Sequence, residues 1–266
     1  MSWGFDVRGA TVGWGRSFDL EVGDLGLDAE AVAGRLPVLG RSGSGKSTLL
    51  YLLTFLKRPR RGGVRWTFPD GERAVWGRSG LVSSESTVDL TRLRRFYFGF
   101  AYQTSTLAPY LTVRENLIYP LQLQGVLGMR QMRQRAEEMV RRVLLCDREP
   151  DALVDEEVEH FLDRYPSELS GGQMQRVALA QAMVHNPYIL FADEPTGNLD
   201  AATRKEVMAV VDQWLSQGNR LLIWVTHHLS DASDSRVQKR LVIAQGQCHL
   251  QGRVAKRPSE GKAEDV

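Results

Sequence analysis

Along the chain, short apolar runs give way to longer stretches in which apolar side chains return every three to four positions. Residues 3–40 carry short β-like runs that end in LPVLG (36–40), an apolar strand stopping at a glycine. From Lys46 to about Lys57, Leu49, Leu52, Leu53 and Leu56 fall at offsets 0, 3, 4 and 7, which predicts a helix with one apolar face. VRWTF and AVW flank the turn-forming PDG (69–71), so a hairpin is expected between Gly63 and Gly77. Between Thr112 and about Phe161 the pattern is helical, with Met132, Ala136, Met139, Val140, Val143 and Leu144 on one stripe.

After Ser170 a helix to about His185 is followed by the strand YILFADE (188–194). The next helix carries Val207, Val210, Val211, Trp214 and Leu215 on one face, and RLLIWVTH (220–227) reads as a strand. RLVIAQGQCHL (240–250) reads as a closing hairpin. Strands alternating with helices imply a mostly parallel sheet covered on both faces. The expected organisation is one α/β domain over residues 1–252, with a helical subdomain inserted at about 108–183 and an antiparallel β portion. A polar tail, 253–266, is expected to be disordered.

Composition narrows the function classes. Hydrophobic residues make up 42% and charged residues 25%, an ordinary globular balance. With 34 basic and 32 acidic side chains the net charge is only +2, so no global field draws the chain to nucleic acid or anionic lipid. Cys146 and Cys248 lie far apart without CxxC spacing, which points to reduced thiols and the cytoplasm. Runs such as LLIWV (221–225) fall far short of the roughly 18–20 apolar residues that cross a bilayer, and MSWGFDVRGA does not read as a signal peptide. Membrane contact, if any, is expected to be indirect, through another chain.

Three motifs carry chemistry. Residues 40–48, GRSGSGKST, fit GxxxxGK[ST] between a strand and a helix, so Gly40, Arg41, Ser42, Gly43, Ser44, Gly45, Lys46, Ser47 and Thr48 form a candidate phosphate loop. Its curled backbone and the helix N-terminus would cradle phosphate oxygens of ATP or GTP. Lys46 supplies a point charge to the β and γ phosphates, and the Ser47 hydroxyl is a natural Mg2+ ligand. YILFADE ends in two acids at the carboxyl end of a strand, where such sheets bind ligands. Asp193 is the candidate for Mg2+ and Glu194 for the general base. In LSGGQMQRVALAQAM (169–183), Ser170, Gly171, Gly172 and Gln173 open a helix and form a second anion-binding terminus, more than one chain needs for one triphosphate.

In order and spacing these motifs, with Gln103 in FAYQ and His227 in VTH, resemble the ABC-transporter ATPases over about residues 34–246. AYQTSTLAPYLTVRENLIYPL (101–121) and ADEPTGNLD (192–200) resemble the subgroup of lipoprotein-release, macrolide-efflux and cell-division ATPases. The resemblance implies a P-loop NTPase fold and a head-to-tail dimer. In it the loop of one copy and Ser170–Gln173 of the other clamp the same ATP, and separate transmembrane permease subunits are driven from the cytoplasmic face of the cell membrane. It also implies that Gln103 ligates Mg2+, His227 contacts the γ phosphate, Asp200 lies at the dimer seam and an aromatic ahead of the loop stacks on adenine. For that aromatic Trp14 is the first candidate and Phe18 the second; either could be a core residue.

Two segments stay open. CDREPDALVDEEVEHFLD (146–163) is either a solvated acidic face or a docking surface, and KRPRRGG (57–63) either a solvated turn or a contact for anionic headgroups. In the helix after Ser170, Gln181 stands near a position where the subgroup has Arg, a change expected to loosen a local salt bridge. Only 124 positions separate Lys46 from Ser170 (170 minus 46), too few for the long coiled coil of DNA-repair members, and one cassette is too few for the ribosome-acting type. Intact Glu194 and LSGGQ argue against a regulator without turnover. Transport of a hydrophobic or lipid-linked substrate and mechanical control of an enzyme across the membrane both remain.

Overall fold

The computed structural model describes residues 3–15, 18–78, 89–102, 106–144, 155–195, 199, 201–226 and 234–252. Gln103, Asp200, His227, residues 146–154 of the acidic segment and the tail 253–266 lie outside them.

Four strands carry the nucleotide-facing half of the sheet: β4 (Arg35–Gly40), β7 (Phe98–Ala101), β8 (Ile189–Asp193) and β9 (Leu221–Val225). They run parallel in the order β4-β9-β8-β7, with Val38 opposite Val225 and Asp193 opposite Val225. Every residue of β9 is buried, because helices cover both faces, and its sequence is accordingly a continuous apolar run rather than an alternating one.

The antiparallel part comprises β1 (Gly4–Trp14), β2 (Phe18–Val22), β3 (Leu25–Asp28), β5 (Arg61–Thr67) and β6 (Arg73–Arg78). The hairpin expected around PDG is β5–β6, with Trp66 opposite Ala74. A second hairpin, β10 (Lys239–Ala244) and β11 (Gln247–Gly252), joins the two halves: β10 runs parallel to β4, and β11 parallel to β2. One 11-stranded sheet results, in which the antiparallel portion is continuous with the parallel one.

Helix α1 (Lys46–Leu53) follows β4 and is shorter than its apolar period predicts. The last turn is consumed by other partners. Thr54 Oγ1 donates to Leu50 O at 2.7 Å, the Trp66 indole donates to Leu53 O at 2.8 Å, and Phe55 turns left-handed at φ 60°. Leu49, Leu52 and Leu53 are buried as expected, whereas Leu56, beyond the stop, is 46% exposed. A further helix, α2 (Leu90–Tyr97), which the apolar period did not signal, starts at an Asp89 cap whose carboxylate accepts from Thr91 N and Arg92 N.

The other layer holds α3 (Val113–Gln124), α4 (Met129–Leu144), α5 (Asp155–Leu162), α6 (Gly171–Met183) and α7 (Ala201–Leu215). The predicted α4 stripe is buried from Met132 to Val143. Gln181 on α6 makes amide contacts and no ion pair: its Nε2 donates to Asn116 O at 3.0 Å, and Asn116, fully buried on α3, donates to Ala108 O, Leu111 O and Thr112 O. Acids of α5 are also engaged, since Arg114 reaches Glu159 at 2.6 Å and Asp163 at 3.2 Å, and Arg141 pairs with Asp155.

Candidate nucleotide site

The loop between β4 and α1 is shaped by close approaches that only glycine allows. A Cβ at Gly40 would lie 2.5 Å from Ser44 Oγ and 2.8 Å from Ile243 O. Gly43 and Gly45 take φ of 73° and 104°, and a Cβ at Gly45 would meet the Phe18 ring at 2.8 Å. Phe18 is thereby placed beneath the loop, packed against the core. Trp14 stands apart: it is 51% exposed, edge-on to Tyr51 of α1 at 6.1 Å, with the Lys57 ammonium 3.8 Å from its ring centroid. Of the two aromatics, Trp14 is the more exposed and Phe18 is partly buried.

Lys46 is 6% exposed, and its Nζ donates to Gly40 O at 3.1 Å and Arg41 O at 3.0 Å, which folds the ammonium into the loop. The Ser44 hydroxyl is buried without a partner among the described residues. A buried hydroxyl left unpaired is costly, and a phosphate oxygen in the loop would satisfy it. These are the features of a cradle built for an anion.

β8 delivers the acids. Because β9 alone separates β8 from β4, the carboxyl end of β8 reaches the start of α1, and Ser47 Oγ donates to Asp193 Oδ2 at 2.6 Å. Hydroxyl and carboxylate oxygens are the hard ligands Mg2+ prefers, so the pair could hold that ion. Glu194 follows in a left-handed conformation, φ 51°, with its amide donating to Val225 O at 3.2 Å. A non-glycine residue there is strained, and such strain fixes a side chain's direction where the surrounding structure over-determines it. Tyr102 lines the same region; burial, then Tyr51 and Asp193, raise its pKa and keep it protonated.

Ser170 caps α6 through a reciprocal box: its Oγ accepts from Gln173 N at 3.2 Å, and Gln173 Oε1 accepts from Ser170 N at 3.0 Å. The Gln173 side chain is therefore turned back on the cap. The Ser170 hydroxyl proton remains available, Ser170 and Gly171 are exposed, and nothing lies within 4 Å of a Cβ at Gly171. This helix terminus faces open space and can accept an external anion.

A separate concavity of about 660 Å³ lies where α2 and β7 meet α3 and α6, lined by Arg94, Phe98, Phe100, Tyr119, Leu123 and His185 among others. His185 Nε2 lies 2.9 Å from Phe98 O, a carbonyl that can only accept, so that nitrogen carries the proton; burial depresses the ring's pKa. No local pattern marks this groove, because its walls come from segments nearly a hundred positions apart.

A glycine cradle on a strand-to-helix turn, with an acid-ended strand two places away in a parallel sheet, defines a P-loop nucleoside triphosphatase. The ABC transporter family profile matches residues 31–197. The chain is 38% identical over 190 residues to the lipoprotein-releasing system ATP-binding protein LolD of Aquifex aeolicus, covering 71% of this chain and 73% of that protein. To the macrolide export ATP-binding/permease protein MacB of Nitrosomonas europaea it is 33% identical over 257 residues, 96% of this chain and 35% of that protein. A solved dimeric structure of MJ0796, a bacterial ABC transporter cassette, superposes with a TM-score of 0.71 at 26% identity, covering 94% of this chain and 98% of that one. The same cassette is also known in a post-hydrolysis state bound to ADP and Pi. The chain belongs to the ABC transporter family, as an ATP-hydrolysing cassette.

Proposed function

We propose that the chain is the ATPase subunit of a membrane export or extraction complex, in which two copies close head-to-tail around two ATP and drive separate permease chains. The observation that carries the reading is the pairing of a complete phosphate cradle with a second, outward-facing anion terminus at Ser170 on the same chain. Lys46 and the loop amides hold the β and γ phosphates, and Trp14 stacks on adenine. Ser47 and Asp193, with Gln103, hold Mg2+, which neutralises phosphate charge when bound. Glu194 orients and deprotonates the attacking water, and His227 holds the γ phosphate in line. Ser170, Gly171, Gly172 and Gln173 of the opposite copy complete the clamp, with Asp200 at the seam.

The relatives' names supply the cargo class, lipoproteins or macrolides, which are hydrophobic or lipid-linked. Among the described residues no helix is long and apolar enough to cross a membrane, so the work on such a cargo passes to a partner chain. The apolar groove beside Tyr119 and Leu123, both exposed, is where that permease docks. The whole assembly sits on the cytoplasmic face of the cell membrane.

Glu194→Gln tests the reading. The variant should bind ATP with Mg2+, accumulate as an ATP-bound dimer in sizing chromatography and lose roughly 100-fold or more of its turnover. Hydrolysis at the normal rate would overturn the assignment of the base.

A further inference from the structure

The first turn of α7, β9 and the segment that begins at Asp234 enclose a cavity of about 240 Å³ that the nucleotide chemistry leaves unused. Arg35, Arg204, Lys205, Trp224, Asp234 and Arg236 stand in its wall. Pockets for drug-sized ligands run from roughly 300 to 1,000 Å³, so this one suits a single small polyatomic group.

Its charges fall into two sets. The first is balanced: Arg35 Nη2 meets Asp212 Oδ1 at 2.7 Å, Arg236 Nη1 meets Asp212 Oδ2 at 2.7 Å, and Arg236 Nη2 meets Asp234 Oδ2 at 2.6 Å. Two cations cancel two anions. Hydrogen bonds from Arg236 hold the Asp234 carboxyl down at about 2.

The second set is unbalanced. Arg204 reaches only Leu199 O, at 3.5 Å, and its Nε is buried with no acceptor among the described residues. Lys205 beside it is exposed and has no ion pair among those residues. Both lie within the first five residues of α7, whose first turn contains no acid, so they add to the positive end of a 15-residue helix. Trp224, only 3% exposed, contributes an indole N–H that can only donate and finds no acceptor among the described residues. Among the described residues, a surplus of two cations, a helix terminus and two buried unpaired donors stand around one small cavity, and all call for the same complement, an oxyanion with several acceptor oxygens.

We infer that this cavity is a second anion site, binding one phosphate-class group, either free orthophosphate or the terminal phosphoryl group of a small phosphomonoester.

The test uses full-length Lys46→Ala protein, in which the phosphate loop no longer competes. Orthophosphate and glycerol 3-phosphate are titrated separately by calorimetry, and the indole N–H resonance of Trp224, identified through Trp224→Phe, is followed by NMR. The expected result is saturable one-to-one binding that moves the Trp224 resonance and weakens at least tenfold in Arg204→Gln/Lys205→Gln. Tighter binding of glycerol 3-phosphate assigns the phosphomonoester; equal or weaker binding assigns orthophosphate. The exposed Lys205→Gln alone, which leaves the buried contacts intact, should weaken binding severalfold and covers the case in which the double variant fails to fold. No saturable binding in Lys46→Ala, or binding unchanged in the double variant and in Lys205→Gln, overturns the site.

Discussion

The Ser170 hydroxyl can do two jobs at once: its oxygen caps α6, and its proton is left free to donate to an anion at the helix terminus. The jobs separate on substitution. Asp caps a helix about as well as Ser, so Ser170→Asp should change the melting temperature little, while its negative charge repels triphosphate and abolishes ATP-driven dimerisation. Thermal melts and sizing chromatography with ATP measure the two effects on one sample. If Trp14 stacks on the base, as proposed, and leaves the phosphates alone, Trp14→Ala should weaken ATP by about 5- to 150-fold, corresponding to ~1–3 kcal/mol, and leave inorganic triphosphate affinity unchanged. Lys46, Ser47, Asp193 and Glu194 were legible in sequence because a phosphate loop and an acid-ended strand have fixed local spacing. The place of Phe18 under Gly45 was not, because that contact spans 27 positions (45 minus 18) and leaves no periodic trace.

At the level of elements, Asn116 ties the start of α3 to the segment before it and, through Gln181, to α6. Asn116 is fully buried, accepts from Ala108 N at 2.8 Å and donates to three carbonyls, so Asn116→Ala strands several polar groups and should cost about 1–3 kcal/mol. Urea unfolding at unchanged m-value checks this. Gln181, also tied to Asn116, should give a smaller loss of the same sign on Gln181→Ala. Apolar period predicted α4, β8, β9 and both hairpins well, because a stripe or an alternation is local. It overran α1, where Leu56 continues the period but Thr54, Phe55 and the distant Trp66 end the helix. It passed over α2, whose turns are filled with arginine and whose start depends on a cap. Gln181 in a family arginine position led to an expectation of a weakened salt bridge; the structure has an amide network there instead.

Across the whole molecule, the parallel pairing of β11 with β2 fuses two sheets that the sequence presents as separate portions, since residues 21–22 and 247–248 share no local pattern. The Arg35–Asp212–Arg236–Asp234 chain ties β4 to α7 and to the segment after β9. Asp234 is held near 2, below its ordinary 3.8, so its contribution to stability is complete above about pH 4 and is lost as pH falls toward 2. Melting temperature recorded from pH 6 to pH 2 should therefore drop through that window, with a shallower slope in Asp234→Asn. The outward-facing cap on α6 has a kinetic corollary. If each catalytic centre is completed by a neighbour, turnover per chain should rise with protein concentration and fall toward zero on dilution. Tethering two copies, as a permease pair would, replaces that bimolecular encounter with a fixed effective concentration and should make the rate independent of dilution.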